Sequence, residues 1–113
     1  MTRLVVLLLI LCAPLASAFA QAQPITFSAM GDVPYSSSEV PTLLGQIRDH
    51  NRYSPSEFLV HLGDIKSGST SCTESYYRDM VTYLHGLAVP AYIVTGDNEY
   101  NDCTNVSQAW SWW

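Results

Sequence analysis

One short pattern occurs three times in this chain. Ile25-Thr26-Phe27-Ser28-Ala29-Met30 is an apolar, β-prone run followed by Gly31-Asp32. Phe58-Leu59-Val60-His61-Leu62 is followed by Gly63-Asp64, and Ala91-Tyr92-Ile93-Val94-Thr95 by Gly96-Asp97. The three aspartates are spaced 32 and 33 residues apart. That is the length of a βαβ step, a strand, a crossover helix and the next parallel strand.

The intervening segments read as helices. Val40, Leu43, Leu44 and Ile47 recur at 3/4 spacing and give one apolar stripe. Ser38 is placed to be its N-cap, with Pro41 in the first turn, where a missing N–H costs nothing. Tyr76, Tyr77, Met80, Val81, Leu84 and Leu87 mark one face of a second helix, with capping-box spacing at Ser71-Cys72-Thr73-Glu74. Gly86 stands near its end, and Pro90 precedes the third strand. Near-continuous apolar strands joined by helices give an α/β fold, a parallel βαβαβ sheet with right-handed crossovers.

Composition narrows the function. The chain has 113 residues, 48% of them apolar and 13% charged, with a net charge of −5. So much apolar surface argues against disorder. Arg3, Arg48, Arg52, Lys66 and Arg78 form no cluster, so no nucleic-acid surface is expected. Residues 1–20 have the form of a secretory signal peptide: Arg3, an apolar run from Leu4 to Ala13, and Ala18-Phe19-Ala20 before the cut. The expected location is secreted or periplasmic, with no membrane span once the signal is cleaved. Removal of Arg3 takes the charge from −5 to −6 and leaves residues 21–113 as the working domain. It also leaves Cys72 and Cys103, an even pair that suggests a disulfide in an exported chain; two buried thiols are the alternative.

In a parallel sheet all three Gly-Asp pairs fall at the carboxyl edge, where open α/β sheets bind ligands. Carboxylates gathered there repel one another and call for a counter-charge, most simply a divalent metal. The plainer alternative is that each aspartate caps a turn.

Gly31-Asp32-Val33-Pro34-Tyr35, His61-Leu62-Gly63-Asp64-Ile65-Lys66-Ser67-Gly68 and Gly96-Asp97-Asn98-Glu99 resemble the N-terminal motifs of the calcineurin-like metallophosphoesterases, in particular a secreted bacterial branch. That family's pattern is D-x-H, G-D, G-N-H-E/D, a lone His and G-H-x-H, on an α/β sandwich of two sheets. The resemblance implies half of such a sandwich, an incomplete N-terminal part of the domain. It also implies a phosphoester substrate and two divalent metal ions (Mn, Fe, Mg or Ca). By position, Asp32 would bind the first metal, Asp64 would bridge both, and Asp97 stands at a metal-binding Asn. Asn98 stands at the catalytic His that meets the leaving group. An amide does not titrate, so Asn98 could only donate a hydrogen bond. Pro34 stands where the family has a ligating His, and the later motifs are absent. The remaining ligands are oxygens, which suit Mn, Mg or Ca better than zinc.

His61 could orient a ligand from behind, or be a packed histidine. Lys66 could meet a phosphate, or be a solvated loop charge. Glu99 and Asp102 could be outer acids or solvated, and Tyr35 could line the site mouth. His50 and His85 read as surface or capping residues. The expected function is metal-dependent phosphoester hydrolysis, and the alternative is a non-catalytic secreted binding relative that keeps the fold. An aspartyl-phosphate phosphatase fits poorly, since its second Asp is replaced by Pro34. The tail Trp110-Ser111-Trp112-Trp113 is expected to lie against a further part of the domain, the alternative being a disordered end.

Overall fold

The structure is a computed structural model, and it describes residues 23–113. The segment 1–20, read from the sequence as a signal peptide, lies outside the described residues. The elements run β1 (Phe27–Met30), α1 (Val40–Tyr53), β2 (Phe58–His61), α2 (Glu74–Leu84), β3 (Ala91–Ile93) and α3 (Val106–Trp112). The three strands form one parallel sheet in the order β1-β2-β3, with helices interleaved. The β-α-β-α-β reading of the sequence is therefore the observed topology. Among the described residues no helix is long and apolar enough to cross a membrane.

Register sorts the strand residues into two faces. Phe27 pairs with Phe58 and Met30 with His61, while Leu59 pairs with Ala91 and His61 with Ile93. Side chains alternate along a strand, so Met30, Leu59, His61, Ala91 and Ile93 share one face. Leu43 and Ile47 of α1 and Tyr77, Met80 and Leu84 of α2 join Leu59 in the core, with Met30, Ala91 and Ile93 packed against them. Both helices therefore cover the same face of the sheet. The apolar stripes of the sequence are the reason, although Leu44 and Val81 end up exposed at their margins.

Two helix starts differ from expectation. Glu39, not Ser38, precedes α1, and no side chain caps the helix. Ser38 Oγ is engaged with Ser36 Oγ at 2.7 Å, and the Glu39 carboxylate accepts the Tyr35 N–H at 2.8 Å. Pro41 does sit in the first turn. The Ser71–Glu74 capping box does not form, because Thr73 is the N-cap and its hydroxyl meets Ser75 Oγ at 2.8 Å. Glu74, one position inside the helix, instead pairs with Arg78 one turn on.

Cys72 and Cys103 form a disulfide, with their Cα atoms 5.5 Å apart. It ties the start of α2 to the loop after β3. Beyond it the tail is helical rather than disordered. Asn105 accepts the Gln108 N–H at 3.0 Å and caps α3. Trp112 and Trp113 lie against the Tyr77 ring, and Trp110 against Tyr100.

Candidate functional site

The loops that leave β1, β2 and β3 meet at the carboxyl edge of the sheet, and the glycines of the repeated motif let them meet. A Cβ on Gly63 would strike the Gly96 backbone nitrogen, and a Cβ on Gly96 would strike the Asp64 carboxylate. Gly63 has φ +92°. Only glycine adopts such a conformation without steric cost while allowing backbones to approach this closely.

The aspartates that follow are unusual. Asp32 has φ 59° and Asp64 φ 57°, both left-handed. Non-glycine residues in that region are uncommon, and they cluster where the surrounding structure holds a functional group in place. The turn carries Asp32 and Asp64 toward each other. The Tyr35 hydroxyl reaches both, donating to Asp32 Oδ1 at 2.6 Å with Asp64 Oδ2 at 3.4 Å. That hydrogen bond to Asp32, followed by burial and by the charges of Asp32 and Asp64, pushes the Tyr35 phenol well above its ordinary range. Among the described residues the ion pair present is Arg78–Glu74 on α2, so the Asp32–Asp64 pair has no basic side chain within ion-pair reach.

Asp97 is exposed and shares no hydrogen bond with the pair; its carbonyl instead closes the turn by accepting from Tyr100 and Asn101. Asn98 is buried. Its backbone N–H donates to Asp64 Oδ1 at 3.2 Å and its amide to the Lys66 carbonyl at 3.0 Å. The amide thus staples two loops together. Among the described residues no group of three or more His, Cys, Asp or Glu side chains converges as a metal site. The donor set that is assembled is the Asp32–Asp64 pair, hard oxygens suited to a hard divalent cation.

The supporting residues sort clearly. Glu99 is not a solvated loop acid but is 2% exposed. Its carboxylate accepts three backbone N–H groups: Asp64 at 2.8 Å, Ile65 at 2.6 Å and Gly96 at 2.9 Å. The four-residue spacing Gly96-x-x-Glu99 is that of a capping box, and this signal could have revealed the role. His61 is fully buried; its Nε2 donates to the Val33 carbonyl at 2.9 Å and its Nδ1 accepts the Gly63 N–H at 3.1 Å. It therefore holds the Asp32 loop and the Asp64 loop at once. Burial pushes its pKa below the ordinary value, outweighing the opposing pull of the Val33 carbonyl and of nearby acids. Lys66 is buried too, with Nζ donating to the Ser67 carbonyl at 3.1 Å, rather than solvated in its loop.

Comparison with family models, with curated proteins and with solved structures gives no match.

Proposed function

We propose that this chain carries the metal-dependent phosphoester-hydrolase site of a calcineurin-like phosphoesterase. The observation that carries the reading is the pair of left-handed aspartates, Asp32 and Asp64, converging on one hydroxyl with no cationic side chain in ion-pair reach among the described residues. Holding two carboxylates together is unfavourable unless a cation sits between them or one takes up a proton. A divalent cation there would supply Lewis-acid polarisation of a phosphoryl oxygen. Water adds to phosphorus, the ester P–O bond breaks, and the alcohol leaves with a proton. Asp32 and Asp64 would hold the cation and Glu99 fixes the backbone of Asp64, while Tyr35 hydrogen-bonds the carboxylates and closes one side of the site. The motif resemblance supports a second cation. The disulfide and the form of residues 1–20 support export.

One observation favours a second reading, a binding module without turnover. The Asn98 amide does not titrate and is held by the Lys66 carbonyl, and both nitrogens of His61 are engaged, so neither side chain can protonate a leaving group. One experiment separates the two. With added Mn, the full chain should hydrolyse 4-nitrophenyl phosphate, and Asp64→Asn should abolish that activity while leaving the circular-dichroism spectrum unchanged. Calorimetric Mn binding without turnover, lost in Asp64→Asn, would establish the binding module. Turnover that persists in Asp64→Asn would remove Asp64 from the site.

A further inference from the structure

Beside the carboxylate pair a cavity of about 420 Å³ opens between the approach to α1 and α2. Tyr35 belongs to both places: its ring lines the cavity and its hydroxyl meets Asp32 and Asp64. Ile65, the residue after Asp64, and Met80 of α2 give the cavity an apolar floor, both about 2% exposed. Tyr76 and Tyr83 of α2 add two further aromatic rings, and Asp79 lies between them in sequence. Most of the remaining rim is seryl and threonyl hydroxyl.

The chemistry of this lining is selective. Among the described residues no lysine or arginine lines the cavity, so it offers a phosphate no counter-charge, and Asp79 repels one. A phosphoryl group belongs on the cation side of Tyr35, and the cavity is left for the uncharged remainder of the molecule. Its volume is that of a small-molecule pocket. Tyrosine rings pack most favourably against another ring, stacked or edge-on. Hydroxyls around the rim can hydrogen-bond ring nitrogens or sugar hydroxyls.

We propose that this cavity binds the aromatic part of the ligand, an aryl or nucleoside alcohol, so that the preferred phosphoester is one whose leaving group carries an aromatic ring. The word phosphoester rests on the hydrolase reading; the aromatic preference rests on the cavity.

The test therefore measures binding and turnover separately. Saturation-transfer NMR of the metal-free full chain with 4-nitrophenol and with adenosine reads the cavity alone, and the stronger of the two shows whether an aryl or a nucleoside ring is preferred. Ser37→Trp, an exposed rim position, fills the cavity without touching the core, and Tyr83→Ala removes one ring. Tyr83→Ala should weaken binding about tenfold, the worth of one good aromatic contact, and Ser37→Trp, which occupies the space itself, by at least as much. In the Mn-loaded protein, kcat/KM for 4-nitrophenyl phosphate should fall by a similar factor in Ser37→Trp, with that for glycerol 2-phosphate unchanged. Ring binding that Ser37→Trp abolishes, without turnover of any phosphoester, would keep the cavity assignment and overturn the hydrolase reading. No saturable binding of either ring compound, or binding that Ser37→Trp leaves intact, would overturn the assignment itself.

Discussion

Glu99 shows how much of the site depends on one buried side chain. Three N–H groups from two loops converge on its carboxylate. Charge-assisted bonds of this kind are about twice as strong as neutral ones. Glu99→Gln should cost about 2–3 kcal/mol, because an amide NH₂ must then face an N–H donor; urea denaturation of the variant against wild type measures it. The signal for this role was present in the spacing Gly96-x-x-Glu99, but an acid in a loop is ordinarily solvated, and only the folded loops show three orphan donors beside it. His61 permits a second prediction. Its neutral form is the one that both donates to Val33 and accepts from Gly63. Its pKa is lowered on folding, so the unfolded chain binds more protons between the two values. The stability His61 contributes is fully present above its ordinary pKa of 6.5 and is lost as pH falls from there through the lowered folded value. Thermal melts between pH 7.5 and 5 should show this slope, and His61→Gln, which keeps a donor and an acceptor without titrating, should flatten it.

The elements themselves were legible where periodicity is strong. Leu43 and Ile47 of α1 and Tyr77, Met80 and Leu84 of α2 are buried at the positions their spacing indicates. Their starts were less legible, because the serines and threonines near them hydrogen-bond one another rather than the helix N–H groups. α3 was missed because seven residues with two tryptophans carry almost no helical period; the readable clue was Asn105 three residues before Gln108, the capping pair that forms. The disulfide binds these pieces together. It joins residues 31 apart, and on the chain-entropy model a loop of that length is worth about 3–4 kcal/mol. Replacing both Cys72 and Cys103 by Ser should lower stability by about that amount in chemical denaturation. The same loss should follow reduction of the wild type, since the cross-link and not the cysteine side chains carries the effect.

At the scale of the molecule, the described residues cover the sheet on one side. The other face carries Phe27, Ala29, Phe58, Val60 and Tyr92, and the same alternation extends to Ile25, Leu62 and Val94 just beyond the strands. All eight are apolar or aromatic. Phe27 and Phe58 stack at 5.3 Å and Tyr92 meets Phe58 edge-on at 5.8 Å, yet Phe27 is 59% and Tyr92 58% exposed. Parallel sheets are ordinarily buried on both faces, which is why their strands read as unbroken apolar runs. The sequence showed those runs, but the pattern alone could not say that both helices lie on one side. An apolar face this continuous drives association. Its lack of charge means that the acidic character of the chain does not oppose contact there. The described domain should therefore self-associate in a concentration-dependent way. The double variant Phe27→Thr and Tyr92→Thr puts strand-favouring β-branched side chains in their place and removes two of the largest exposed apolar groups. By transfer free energies of about 25 cal/mol per Å² it should weaken association at least tenfold. Light scattering across a dilution series measures this. A monomeric wild type under the same conditions would show that the apolar face is tolerated in water without a covering layer.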